Sequence, residues 1–328
     1  MIGRGEQGRG GGIAFAIGSV AASAALVCLA FGGSLASAAT SSTKAGVKEA
    51  NWGNNVTVTY GSGKVRLRSN GIPNHSRPTY YAVPNAGVVV PTAETARAVP
   101  DPTRATSLDY QLPLRPRKAS AVTDAPLGSI GMMISGAVLY NPYEGDGTTV
   151  AMSNNFWLPA PDGSRAPFVD DCSGHPGGGS YHYHALPTCA VAKMDRGKGP
   201  SRMIGLAFDG YPIYGPRDVK GKKVPLRKLD RCNGIFSRTP EFPKGIYHYI
   251  LPGTSDETSS IRCFRGEVDP DLITAMPGMG PGQGAPPGGP PPGGPLQVSS
   301  RTGATAPAPS LVCDLTDHDA RTAFPADA

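Results

Sequence analysis

"GGGSYHYHALPTC" spans residues 177–189, and inside it Tyr181, His182, Tyr183 and His184 alternate phenol and imidazole over four positions. On an extended strand, successive side chains point to opposite faces. Tyr181 and Tyr183 therefore share one face, and His182 and His184 share the other. Read this way, the stretch is a strand that offers two imidazoles side by side.

The stretch has a second, poorer copy. "SYHYHALP" (180–187) aligns with "IYHYILPG" (246–253), and "DDCSG" (170–174) aligns with "DRCNG" (230–234). Upstream, "GMMISGAVLYNP" (131–142) aligns with "GLAFDGYPIYGP" (205–216), and each copy later reaches a further cysteine, Cys189 or Cys263. Features recurring in the same order indicate two internal repeats, at about 128–190 and 202–266.

Around the repeats the chain is loop-rich. Its 328 residues include 44 Gly and 34 Pro, while 17% are charged, a balance that favours short strands joined by turns. "NVTVTY" (55–60) and "KVRLRSN" (64–70) alternate about a "GSG" turn, and helical periodicity of useful length is hard to find. The expected fold is mainly β. The stretch 91–107, "PTAETARAVPDPTRATS", reads as an inserted loop. From Pro277 to Pro295, sixteen of nineteen residues are Gly or Pro, so 267–310 is expected to be a disordered linker ahead of a short tail, 311–328.

Two arginines, an apolar run from Ile13 to Phe31 and the small residues Ala36-Ser37-Ala38 have the order of a secretory signal, with cleavage after Ala38; an uncleaved anchor is the alternative. The mature chain is then exported, with no later segment apolar enough to span a bilayer. Loss of Arg4, Arg9 and Glu6 takes the formal charge from +6 to +5, too mild an excess to suggest nucleic acid. The densest basic run, Lys220 to Lys228, lacks interleaved aromatic residues and reads as a solvated hairpin tip.

After export five cysteines remain: Cys172, Cys189, Cys232, Cys263 and Cys313. In an oxidising setting they are expected as disulfides rather than thiolate ligands. Treating both copies alike gives Cys172–Cys189 and Cys232–Cys263, although pairing across the repeats has the same symmetry. Cys313 is left free, or joins another chain.

The chemistry, if any, rests on histidine. His175, His182, His184 and His248 all sit at landmarks of the repeats. A His-x-His strand pair with a nearby third imidazole is a transition-metal pattern suited to zinc or copper. His182 corresponds to His248, whereas His175 and His184 correspond to Ile235 and Ile250, so the first copy carries the fuller set. The expected metal ligands are His175, His182, His184 and His248, with His75 a fifth candidate. Asp209, before a Gly, is an acceptor that orients an imidazole, a metal ligand, or a turn residue. Against a metal site stands plain packing, since a buried imidazole between tyrosines often just donates to a carbonyl. No phosphate loop and no Gly-x-Ser-x-Gly nucleophile elbow is present. An open coordination position would allow hydrolysis by metal-activated water, and no catalytic residue is assigned.

Together, "NGIPNH" (70–75), "GMMISGAVLYNP", "DDCSGHPGGGSYHYHALP", "GLAFDGYPIYGP", "LDRCNG", "GIYHYILPG" and "IRCFRG" (261–266) resemble the YHYH-domain proteins, over roughly residues 51–266. The resemblance implies a domain and an exported setting; it assigns no activity. The chain departs from the family pattern at Ser135-Gly136-Ala137, where many relatives read Asn-Gly-Val, and at Tyr249-Ile250, where they carry a second His-rich strand. Two functions remain open on the residues: binding of one transition-metal ion, or a non-catalytic extracellular module that contacts a surface polymer or protein.

Overall fold

The computed structural model describes residues 41–195 and 198–274. The segment expected to be a secretory signal, the Pro277–Pro295 stretch and the tail with Cys313 lie outside the described residues. A short helix, α1 (Lys44–Glu49), precedes β1 (Val56–Gly61) and β2 (Lys64–Ser69). Ser62 and Gly63 join these strands with φ of 48° and 74°. Two successive left-handed residues give a two-residue hairpin the twist its strands need.

β3 (Tyr80–Pro84) and β4 (Ala96–Pro100) form a separate antiparallel ribbon, and β5 (Leu108–Pro113) then pairs with β2. Five residues of the stretch 91–107 expected to be a loop are thus strand. Its alternation is hidden because β4 is only five residues long and made largely of small side chains, and β3 supplies the pairing. Val65 and Leu67 of β2 and Leu108, Tyr110 and Leu112 of β5 turn inward at every second position.

Next come β6 (Lys118–Asp124), β7 (Ser129–Met133), β8 (Val138–Tyr140), and a small ribbon of β9 (Trp157–Pro159) with β10 (Arg165–Pro167). β11 (Gly174–Gly177) and β12 (Ser180–Tyr183) form a hairpin that leads into α2 (Thr188–Asp195). The later strands are β13 (Met203–Ala207), β14 (Pro212–Tyr214), β15 (Gly234–Ser237), β16 (Ile246–Ile250) and β17 (Cys263–Gly266), and α3 (Pro270–Thr274) follows. β17 pairs with β6. α3 falls where a linker was expected; Leu272 and Ile273 pack on the core and draw this stretch into the fold.

Eight strands form one sheet in the order β11-β12-β8-β7-β13-β14-β16-β15. From either edge it reads as an antiparallel hairpin, then a parallel neighbour, then a second antiparallel hairpin. β7 and β13 meet antiparallel at the centre, with Leu206 opposite Met132. Every residue of these two strands is buried, which is why they read as unbroken apolar runs. Ile130, Met132, Ile204 and Leu206 are fully enclosed, each contributing about 1.5–3 kcal/mol. Gly205 lets the central strands approach, since a Cβ there would lie 2.7 Å from the Met133 sulfur and 2.8 Å from the Met132 carbonyl oxygen.

The bridges are Cys172–Cys189 and Cys232–Cys263, the pairing that treats both halves alike. Each begins in a turn closed by an aspartate. Asp170 Oδ1 accepts from the amides of Cys172 (2.9 Å) and Gly174 (3.2 Å), and Asp230 Oδ1 from those of Cys232 and Gly234 (both 2.9 Å). No helix among the described residues is long and apolar enough to cross a membrane.

Candidate metal centre

The β11–β12 hairpin sets His175 directly opposite His182, with Gly174 opposite Tyr183 and Gly177 opposite Ser180. Paired residues project to the same face, and His184 follows two residues after His182. The three imidazoles therefore meet on one side of the sheet. One ring nitrogen of each lies within 4.8 Å of the others, and all three residues are at least 93% buried. The Nε2 atoms of His175 and His184 are 3.2 Å apart.

Backbone carbonyls fix two of the rings. His182 Nδ1 donates to the Ser180 oxygen (3.0 Å) and His184 Nδ1 to the Asn141 oxygen (2.8 Å). With Nδ1 protonated, each Nε2 keeps its lone pair, the state a ligand histidine requires, and that of His184 faces His175 Nε2. Rings also confine the group. Tyr140 stacks on His182 with centroids 3.9 Å apart, and Phe168 meets His175 edge-on at 4.6 Å.

Removal from water penalises the charged imidazolium. Burial, reinforced by the neighbouring imidazoles, holds His175 well below its ordinary value. Burial first and His184 second lower His182 to about 3, and burial lowers His184 to about 4. All three are neutral at pH 7 and so competent as ligands.

The glycines before the YHYH strand have steric reasons to be glycine. A Cβ on Gly177 would lie 2.6 Å from His182 Cε1, and one on Gly174 would lie 2.5 Å from the Tyr181 hydroxyl. Each makes room for a ring of the paired strand.

The opposite face is phenolic. Tyr181 and Tyr81 both donate to Asp170 Oδ2, at 2.8 and 2.7 Å. Tyr183 reaches Ser135 Oγ at 2.8 Å and His75 Nε2 at 2.6 Å, so His75 lies with the tyrosines and away from the other imidazoles. A second cluster forms there, in which His75, Cys172 and Cys189 bring one donor atom each within 4.8 Å.

The four expected ligands do not all converge. His248 sits on β16, five strands from β12 in the sheet order, or about 24 Å at the usual strand spacing. It donates to the Ile246 oxygen (3.0 Å) and meets Tyr214 edge-on at 4.9 Å. Asp209 orients no imidazole; its carboxylate takes the Tyr249 hydroxyl and the amides of Gly266 (2.9 Å) and Tyr211 (3.2 Å). Asn141, Tyr140, Phe168 and Gly177 shape the group, and of these Asn141, Phe168 and Gly177 were not singled out from sequence. The repeat alignment already marked Tyr140, as the partner of Tyr214.

A family model described as "YHYH protein" matches residues 109–225 and 223–266. No curated protein and no solved structure matches the chain. The match begins within β5 and takes in all eight strands of the large sheet, including the hairpin that carries residues 181–184. The chain is a YHYH domain-containing protein.

Proposed function

We propose that this is an exported protein whose YHYH hairpin binds one transition-metal ion, zinc or copper, through His175, His182 and His184. The observation that carries the reading is the convergence of three buried, neutral imidazoles, two of them held by backbone carbonyls through Nδ1 so that Nε2 keeps its lone pair. In the metal-free protein the 3.2 Å contact between His175 Nε2 and His184 Nε2 is an N–H···N hydrogen bond, and it holds the two nitrogens at a spacing from which both can turn to one ion. His248 is the matching position of a second copy that lacks the other two imidazoles, and the even strand order supports reading the domain as a duplicated unit with one decorated half. Two disulfides support the exported setting.

Burial shuts the three histidines off from a substrate-sized cleft and so favours ion binding over hydrolysis, although three ligands leave a fourth coordination position. The two clefts of about 520–530 Å³ are lined by other residues. Metal analysis of protein purified without a histidine tag tests the reading. The wild type carries close to one metal per chain, and the His182→Ala/His184→Ala variant carries none. Metal-free wild type that also fails to take up zinc or copper refutes it.

A second reading, a non-catalytic interaction module, has its own observation. Phe236 is 68% exposed beside Tyr211 and Tyr247 in a cleft rimmed by Lys118, Lys228 and Arg265. Binding of an acidic surface polymer that is lost in Phe236→Ala and unaffected by metal removal favours that reading.

A further inference from the structure

The Cys172–Cys189 bridge differs from its counterpart in two respects. Cys232 and Cys263 are both buried, whereas Cys172 is buried and Cys189 is partly exposed. Both Cys172 and Cys189 line a cleft of about 520 Å³, so a small thiol has a route to Cys189. Beside the bridge stands an imidazole, with His75 Nδ1 3.4 Å from Cys172 Sγ.

We propose that Cys172, Cys189 and His75 form a redox-gated site for a soft d10 cation, Zn(II) or Cu(I), closed while the bridge is intact and opened by reduction. Two thiolates and one imidazole form a known protein ligand set for such ions, and the cleft leaves a fourth position for water. The three donor atoms already lie within 4.8 Å of one another, so opening the bridge demands little rearrangement.

The steps balance. The thiolate of a small-molecule thiol attacks Cys189 Sγ, the S–S bond breaks, and Cys172 leaves as thiolate. A second equivalent attacks the mixed disulfide, releasing the oxidised reductant and the Cys189 thiolate. Binding a divalent ion then displaces the two thiol protons. His75 changes tautomer: Nδ1, which faces the Ser76 carbonyl at 2.8 Å, gives up its proton, and Nε2 takes one and donates it to the Tyr183 hydroxyl at 2.6 Å. This site shares no residue with the His175–His182–His184 group, and it stands or falls separately.

The test uses Co²⁺ as probe, because thiolate-to-cobalt charge transfer is visible and an all-imidazole site gives none. The full-length protein is titrated with a mild thiol until two new thiols appear, and differential alkylation locates them. The expected result is new thiols at Cys172 and Cys189, a retained near-ultraviolet circular dichroism signal, and a charge-transfer band at one Co²⁺ per chain that is absent before reduction. His75→Ala weakens that Co²⁺ binding at least tenfold while keeping the bridge in the oxidised protein. The proposal is overturned by opening of Cys232–Cys263 first, by loss of the folded signal on reduction, by two thiols without a band, or by a band of unchanged affinity in His75→Ala.

Discussion

Replacing Gly177 with alanine adds one methyl group and tests the seat of His182. The new Cβ would lie 2.6 Å from His182 Cε1, where ordinary carbon–carbon contact is about 3.5–4.0 Å. One of the two must move by about 1 Å. The ring has no room to retreat, since Tyr140 is stacked on it at 3.9 Å and Nδ1 is tied to the Ser180 carbonyl. Overpacking of this kind costs about 1–3 kcal/mol. Metal bonds tolerate displacements of only about 0.2 Å, so the variant should also lose metal affinity by about 10- to 100-fold. Urea denaturation of chelator-treated protein measures the first effect, and a competitive zinc titration the second. Gly61→Ala is the control, because nothing lies within 4 Å of a Cβ there. Wild-type zinc affinity in a destabilised Gly177→Ala would refute the ligand role of His182; wild-type stability as well would refute the packing argument.

Metal-free protein should weaken in acid. The imidazoles are held below their ordinary value of 6.5, so below pH 6.5 the unfolded chain takes up protons that the folded chain refuses; their full contribution is present above pH 6.5 and is lost as pH falls. At pH 5 His182 and His184 together should have removed about 4 kcal/mol relative to pH 7, and coincident urea midpoints at the two values would contradict this. Replacing Cys232 and Cys263 by serine frees a 31-residue span and should cost about 3.7 kcal/mol, against about 3 kcal/mol for the 17-residue Cys172–Cys189 span; equal or inverted losses in thermal denaturation would show strain or residual structure outweighing loop entropy. Asp170→Asn removes the charged acceptor of two phenols and should cost about 3 kcal/mol. Asp230→Asn, whose Oδ2 accepts from Tyr247 alone among the described contacts, should cost about half that in the same denaturation assay, and a larger loss at Asp230 would count against the argument.

How much of this could be read in the residues depended on whether the deciding interaction was local. Alternation places His182 and His184 on one face before any fold is known, and the Asp-x-Cys-x-Gly turns are visible because each closes within four residues. His175 joins them through a tight hairpin, also a short-range matter. The position of His248 was not legible in this way. Aligned copies set His182 and His248 at corresponding positions and made both expected ligands, but the parallel pairings β12–β8 and β14–β16 carry the two strands to opposite sides of the central pair. Those pairings join residues about 40 positions apart, which no short-range pattern records. β4 and α3 were missed for a related reason: one is held by β3 and the other by the core, and neither shows strong periodicity of its own. Tyr140 and the carbonyl of Asn141 approach the imidazoles from a distant segment, so much of the shell that keeps the rings neutral emerges only with the fold.

The most direct test of the central claim is X-ray absorption spectroscopy of the zinc-loaded, oxidised protein. Binding through His175, His182 and His184 predicts a first shell with three imidazole nitrogens at about 2.0–2.1 Å and no sulfur. A sulfur scatterer at about 2.3 Å, or a shell made of oxygen atoms without imidazole, would contradict it.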